Sequence, residues 1–93
     1  MLIIAHHNVK DPEKFWNEAR TVTSKMPANF RLHSVFPSAD GRKGTCVWEA
    51  PNVEDVQKFL DDMTGGMAIN YCYEVNGDTA FGIPETTVAA INN

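Results

Sequence analysis

Residues 40–44 of this chain read Asp-Gly-Arg-Lys-Gly, and they separate two stretches that have the character of β-strands. An Asp-Gly dipeptide supplies the positive φ angles that a tight hairpin turn needs. Residues 30–38 before it, and residues 45–50 after it, carry β-branched and aromatic side chains at alternating positions. The sequence therefore predicts a β-hairpin in the middle of the chain.

The N-terminal flank of this hairpin predicts a strand followed by a helix. Residues 2–8 begin as an apolar run, which is expected of a strand covered on both faces. Asp11 can cap a helix that starts at Pro12, whose missing N–H costs nothing in a first turn. The apolar residues of this helix form one stripe: Phe15, Ala19, Val22 and Met26. Pro27 is predicted to end the helix after Lys25 or Met26.

The C-terminal flank predicts a second helix, a last strand and a tail. Asn52 is the expected N-cap of that helix, and Gly65-Gly66 is the expected end. Residues 69–75 alternate as a strand does, and residues 79–83 can form a short extra strand. Residues 1–76 are thus the predicted domain, and the tail, residues 77–93, is expected to pack in part on a second subunit.

The element order β-α-β-β-α-β predicts an α+β fold with a four-stranded antiparallel sheet and both helices on one face. The expected strand order is fourth, first, third, second. Pro37 cannot donate to a β-ladder, so the second strand belongs at an edge. On that strand the alternation predicts two faces: Phe30, Leu32, Ser34 and Phe36 on one, and Arg31, His33 and Val35 on the other. The helix-free face would carry large apolar side chains, as interfaces do.

Composition excludes several classes of function. The chain has 93 residues and a formal net charge of −4, and no cluster of Lys and Arg suits a nucleic-acid phosphate track. No apolar run approaches the roughly 20 residues that span a bilayer. The apolar N-terminus is too short for a signal-peptide core, so the expected compartment is the cytoplasm. Cys46 and Cys72 would be reduced there.

The element order and one sequence stretch resemble a known superfamily. The stretch runs from a strand into a helix, Cys46-Val47-Trp48-Glu49-Ala50-Pro51 and then Asn52-Val53-Glu54-Asp55-Val56. Over residues 1–76 the chain resembles the dimeric α+β barrel superfamily, in which two ferredoxin-like sheets pack face to face. More narrowly, it is similar to small bacterial proteins of that group, some of which bind nickel. The resemblance implies a homodimer, and the superfamily includes cofactor-free monooxygenases, muconolactone isomerase and haem-degrading enzymes.

A divalent metal site, for nickel or zinc, is one candidate. In the expected topology a histidine of the first strand lies near both cysteines, and imidazole with thiolate suits such ions. The candidate ligands are His6, His7, Cys46 and Cys72. Only one of the adjacent histidines can line a given sheet face, and the spacing matches no metal signature. The alternative is a polar strand end with two small buried thiols. A strand between the cysteines would hold them ~9–10 Å apart, beyond disulfide reach.

A pocket for an organic ligand is the other candidate. His33 can serve as a general base and Glu49 as an acid or base, although both can also be ordinary strand residues. Four aromatic side chains can line a pocket for a planar ligand or can belong to the core: Phe36, Trp48, Tyr71 and Tyr73.

Three functions are compatible with these residues. The first is a homodimer that binds a small ligand or a divalent metal ion without turnover. The second is a cofactor-free monooxygenase or isomerase acting on an aromatic or lactone-like substrate between sheet and helices. It predicts a cavity lined by Trp48 and a tyrosine, with a His or Glu of shifted pKa. The third is a non-catalytic interaction module with a filled core.

Overall fold

The computed structural model describes residues 1–83 of the chain. These residues form two helices and four strands, with short 3₁₀ turns at Val22–Ser24 and Gly65–Met67. In chain order the elements are β1 (Leu2–Val9), α1 (Pro12–Ala19), β2 (Arg31–Pro37), β3 (Lys43–Glu49), α2 (Val53–Thr64) and β4 (Ala68–Glu74). The strands make one antiparallel sheet in the order β2-β3-β1-β4. This is an α+β fold, and it is compatible with a ferredoxin-like arrangement.

Local signals set the starts of both helices where the sequence predicts them. Asp11 accepts a hydrogen bond from the Lys14 N–H at 3.2 Å, and α1 begins at the next residue. Asn52 accepts from the Asp55 N–H at 2.8 Å, and α2 begins after it. Gly65, with φ of +53°, ends α2 in a backbone conformation that favours glycine. Both predicted N-caps and the glycine end are confirmed.

The prediction that α1 continues to Lys25 or Met26 was wrong, since α1 ends at Ala19. Both the backbone N–H and the hydroxyl of Thr21 bond to the Glu18 carbonyl, each at 3.0 Å. Hydroxyl side chains that bond to nearby carbonyls compete with helical hydrogen bonds. A single 3₁₀ turn follows, and it still buries Val22 against the core. The apolar stripe therefore predicts burial correctly but not helix length.

The predicted division of β2 into two faces was also wrong. Leu32 pairs with Trp48 and Ser34 pairs with Val47, so His33 is an extra residue at a β-bulge. After the bulge the alternation is reversed. Val35, opposite Cys46, therefore shares the helix-covered face with Leu32, while Ser34 and Phe36 lie on the open face together with Arg31.

The central hairpin and the residues after β4 differ from expectation in detail. Five residues, 38–42, connect β2 to β3, and Gly41 is the one among them with positive φ (+73°). This connection is therefore longer than the tight turn that the sequence predicts. Residues 79–83 form no strand, so that prediction was wrong. The predicted packing of the tail on a partner falls largely on residues 84–93, outside the described residues.

The core lies between the sheet and the helices. Alternate residues of the central strands face the helices, and three side chains are almost fully buried there: Ile3, Trp48 and Val56. The other face of the sheet is open and carries large exposed side chains: Phe36, Ile69, Tyr71 and Tyr73. No helix among residues 1–83 is long and apolar enough to cross a membrane.

Candidate functional site

A cavity of about 40 Å³ lies between α1 and the helix-covered face of the sheet. Its sheet side includes His7 from β1 and two residues of β3, Cys46 and Trp48. Phe15 and Trp16 of α1 close the opposite side, and the lining is almost wholly apolar. Exposed residues also contribute, Glu18 of α1 and Val35 of β2, so the cavity approaches the surface beside the edge strand.

His7 is the polar centre of this cavity. Its side chain is buried, and each ring nitrogen has a partner: Nδ1 lies 2.7 Å from Asn70 Oδ1, and Nε2 lies 3.2 Å from Cys46 Sγ. The Asn70 amide donates its two hydrogens to Thr64 and Asp61, at 2.9 Å and 3.1 Å. Asn70 Oδ1 is therefore an acceptor, which places the hydrogen of His7 on Nδ1.

The electrostatics of the pair agree with this tautomer. Burial lowers the pKa of His7, so the imidazole is neutral at pH 7 and Nε2 carries a lone pair. Burial also raises the pKa of Cys46 to about 12, so this thiol keeps its proton. The Cys46 S–H can then donate to His7 Nε2. The result is a relay from thiol to imidazole to amide, with each member bonded to the next.

Trp48 contributes an unpaired donor. Its side chain is 1% exposed, and its Nε1 is the one fully buried side-chain nitrogen or oxygen in residues 1–83 that lacks a hydrogen-bond partner. Trp16, across the cavity, donates instead to the Gly41 carbonyl at 2.7 Å. An unsatisfied buried donor costs about 1–3 kcal/mol, so it requires an explanation.

The four candidate metal ligands are only partly brought together. His7 and Cys46 are in contact, but His6 lies on the opposite sheet face, where Nδ1 is 3.0 Å from Thr45 Oγ1. Ala5 of β1 pairs with Cys46 on one side and with Cys72 of β4 on the other, so a strand separates the two cysteines. Within residues 1–83, no group of three or more His, Cys, Asp or Glu side chains is arranged to hold a metal ion. A structural zinc site takes four ligands and a catalytic one three, so the described residues do not fit a metal centre.

The four candidate aromatic residues are divided between the two faces of the sheet. Trp48 lines the cavity, whereas Phe36, Tyr71 and Tyr73 lie on the open face. His33 and Glu49 pair with each other, His33 Nε2 to Glu49 Oε1 at 3.0 Å, beside Arg31 on that open face. These two candidate acid–base residues are thus not part of the cavity, where His7 provides the imidazole.

Sequence reasoning did not identify Asn70 as part of the site. The signal was present, because Asn70 alternates with exposed Ile69 and Tyr71 and shares its strand face with Cys72. A polar residue on the buried face of a strand needs hydrogen-bond partners, and His7 on the neighbouring strand pairs with Asn70.

Comparison of the chain with protein-family models, curated proteins and solved structures gives no match. Membership of the dimeric α+β barrel superfamily, and the nickel binding known in part of it, therefore stay predictions.

Proposed function

We propose that this chain binds a small, uncharged organic molecule in the cavity between α1 and the sheet. Two observations carry the proposal: Trp48 lines an apolar cavity, and its buried indole N–H has no hydrogen-bond partner. A bound molecule with a carbonyl or hydroxyl oxygen can accept from this donor and remove its desolvation cost.

The cavity sets the size and polarity of the ligand. One water-sized atom needs about 10–15 Å³ of cavity volume. The present cavity, at about 40 Å³, therefore suits a molecule of roughly three to four non-hydrogen atoms. A charged ligand would lose its hydration in this cavity, because the His7 imidazole is neutral and the one charged lining residue, Glu18, is half exposed and already paired with Lys25 at 3.3 Å. A small ketone or aldehyde meets both requirements.

The two tryptophans supply a direct test with an internal control. Acetone and its hydrocarbon isostere isobutene would each be titrated into labelled protein while the indole N–H resonances are followed by NMR. Acetone should move the Trp48 resonance downfield, and the Trp16 resonance should move much less because that N–H already has a partner.

The affinity for acetone should also depend on the hydrogen bond from the Trp48 indole N–H. We expect acetone to bind about tenfold more tightly than isobutene, which corresponds to about 1.4 kcal/mol. Trp48→Phe should abolish that preference. A Trp48 resonance that stays in place up to high acetone concentration, or an equal affinity for isobutene, would overturn the proposal.

The open face of the sheet supports a second proposal, that the chain forms a ferredoxin-like homodimer through this face, as in the superfamily it resembles. The side chains of Phe36, Ile69, Tyr71 and Tyr73 are 41–64% exposed. Side chains of this size on one face of a sheet are typical of an interface. Sedimentation equilibrium would measure the assembly.

The free thiols of Cys46 and Cys72 suit a reducing compartment such as the cytoplasm.

The monooxygenase or isomerase alternative rests on one observation, a cavity that contains Trp48 and a histidine of lowered pKa. It expected a tyrosine in the lining as well, and both described tyrosines lie on the other face. Turnover of a lactone or an aromatic substrate by purified protein would favour this alternative over simple binding.

A further inference from the structure

The relay at the cavity has the parts of an activated nucleophile. Cysteine nucleophiles are activated by a base in hydrogen-bond contact, and the base is oriented by a third group. Here Cys46 Sγ lies 3.2 Å from His7 Nε2, and His7 Nδ1 lies 2.7 Å from Asn70 Oδ1. Asn70 is itself held by Thr64 and Asp61. Cys46 also lines the cavity.

We propose that Cys46 is a covalent acceptor for small, uncharged conjugated carbonyl compounds that enter the cavity, with His7 as its base. This inference rests on the proposed ligand-binding function and specifies a reactive class of ligand for the same cavity.

The reaction is an addition and needs no co-reactant. Cys46 Sγ forms a bond to the β-carbon of the conjugated carbonyl compound, and the carbon–carbon π bond is consumed. The thiol proton passes to His7 Nε2 as sulfur attacks, and the α-carbon then takes a proton from the imidazolium. No group leaves and nothing is oxidised or reduced. His7 returns to its neutral form, and the product is a thioether on Cys46.

Trp48 is placed to bind the carbonyl end of such a molecule. Cys46 and Trp48 are two residues apart on β3 and share a face, which separates their Cα atoms by about 6.6 Å. A conjugated carbonyl compound extends over several ångströms from its β-carbon to its oxygen, so it can bridge the two side chains. The unpaired indole N–H then stabilises the negative charge that develops on oxygen.

The raised pKa of Cys46 makes the base necessary. With a pKa of about 12, almost none of this thiol is thiolate near neutral pH, so reaction through free thiolate is very slow. His7, being neutral, can remove the proton during attack instead. Other ionisable groups lie nearby: Glu18 lines the cavity from α1, Asp61 of α2 contacts Asn70, and His6 lies on the far face.

The second cysteine is a matched control within the same chain. Cys72 is 7% exposed and Cys46 is 6% exposed, and burial raises the pKa of both, that of Cys72 to about 11. Cys72 does not line the cavity. If exposure and thiolate content alone governed reactivity, Cys72 would react at least as fast as Cys46. If the relay governs it, Cys46 will.

The probe is acrolein, a conjugated aldehyde of four non-hydrogen atoms, with adducts located by peptide mass spectrometry over time. We expect Cys46 to react at least tenfold faster than Cys72. Its rate should change little from pH 7 to about 8.5, since His7 stays neutral, whereas the Cys72 rate should rise with thiolate content. His7→Gln should slow Cys46 about 100-fold and leave Cys72 unchanged.

Wild-type protein alone can refute the inference, whether or not His7→Gln folds. Equal labelling of the two cysteines, or a Cys46 rate that rises tenfold per pH unit, would overturn it. Labelling of Cys46 only at the rate of global unfolding, measured by hydrogen exchange, would do the same. If acetone moves the Trp48 resonance but acrolein leaves Cys46 intact, this inference fails and the proposed binding stands. If neither occurs, both fail.

Discussion

Replacing Gly44 with alanine should destabilise the protein through one side chain, Trp16. A Cβ at Gly44 would lie 2.6 Å from Cη2 and 3.0 Å from Cζ2 of the Trp16 indole. That ring cannot move away freely. Its Nε1 donates to the Gly41 carbonyl at 2.7 Å, and the ring makes a T-shaped contact with Phe15, with ring centroids 4.6 Å apart.

The expected loss follows from three terms. Overpacking of this kind costs about 1–3 kcal/mol, and loss of the indole hydrogen bond about 1 kcal/mol. Alanine recovers about 0.5–1 kcal/mol, because glycine is unfavourable inside a strand. The free energy of unfolding should therefore fall by about 2 kcal/mol, which for a domain of this size lowers Tm by about 8–16 °C.

Urea denaturation would measure the change as a lower midpoint with an unchanged m-value. Gly66→Ala is the matched control, because no atom lies within 4 Å of a Cβ there and φ is not positive, so the free energy should change by less than about 0.5 kcal/mol. Trp16→Leu should make room and remove most of the cost of Gly44→Ala. An unchanged midpoint for Gly44→Ala, or the same cost in the Trp16→Leu background, would refute the steric argument.

Three further outcomes are expected. Because burial lowers the pKa of His7, the unfolded chain binds more protons than the folded chain as pH falls through about 6.5, so the unfolding free energy should decrease there. His7→Gln should remove the contribution of His7 to this decrease. Urea denaturation at several pH values between about 7.5 and 5.5 would measure the unfolding free energy of both proteins. Asn52→Ala should cost about 1 kcal/mol through loss of the bond from the Asp55 N–H, and Asn52→Ser should retain most of it, as thermal denaturation would show. Tyr71→Glu, at an open-face side chain 64% exposed, should dissociate the proposed homodimer in sedimentation equilibrium without lowering Tm of the monomer; an unchanged mass would exclude that face as the interface.

The candidate site could be predicted in part. Placing a first-strand histidine near Cys46 was correct, since the contact is 3.2 Å, and only one of the two adjacent histidines shares that face. The metal site remains a prediction that the described side chains do not fit. The proposed aromatic pocket required a choice of face for four residues, and strand alternation separates two faces without saying which one the helices cover.

What the sequence by itself determined is local. Asp11, Asn52 and Gly41 act on backbone groups within a few residues, so caps and turn positions follow from residue type. Pro37 lies on the edge strand β2, as its missing N–H requires.

Only the tertiary structure decided the rest. The bulge at His33 depends on how β2 pairs with β3, and it reverses the faces of the β2 residues that follow it. The relay of Cys46, His7 and Asn70 joins three strands that are distant in the chain. No local signal specifies such contacts, because they form only when the helices cover one face and exclude water from it.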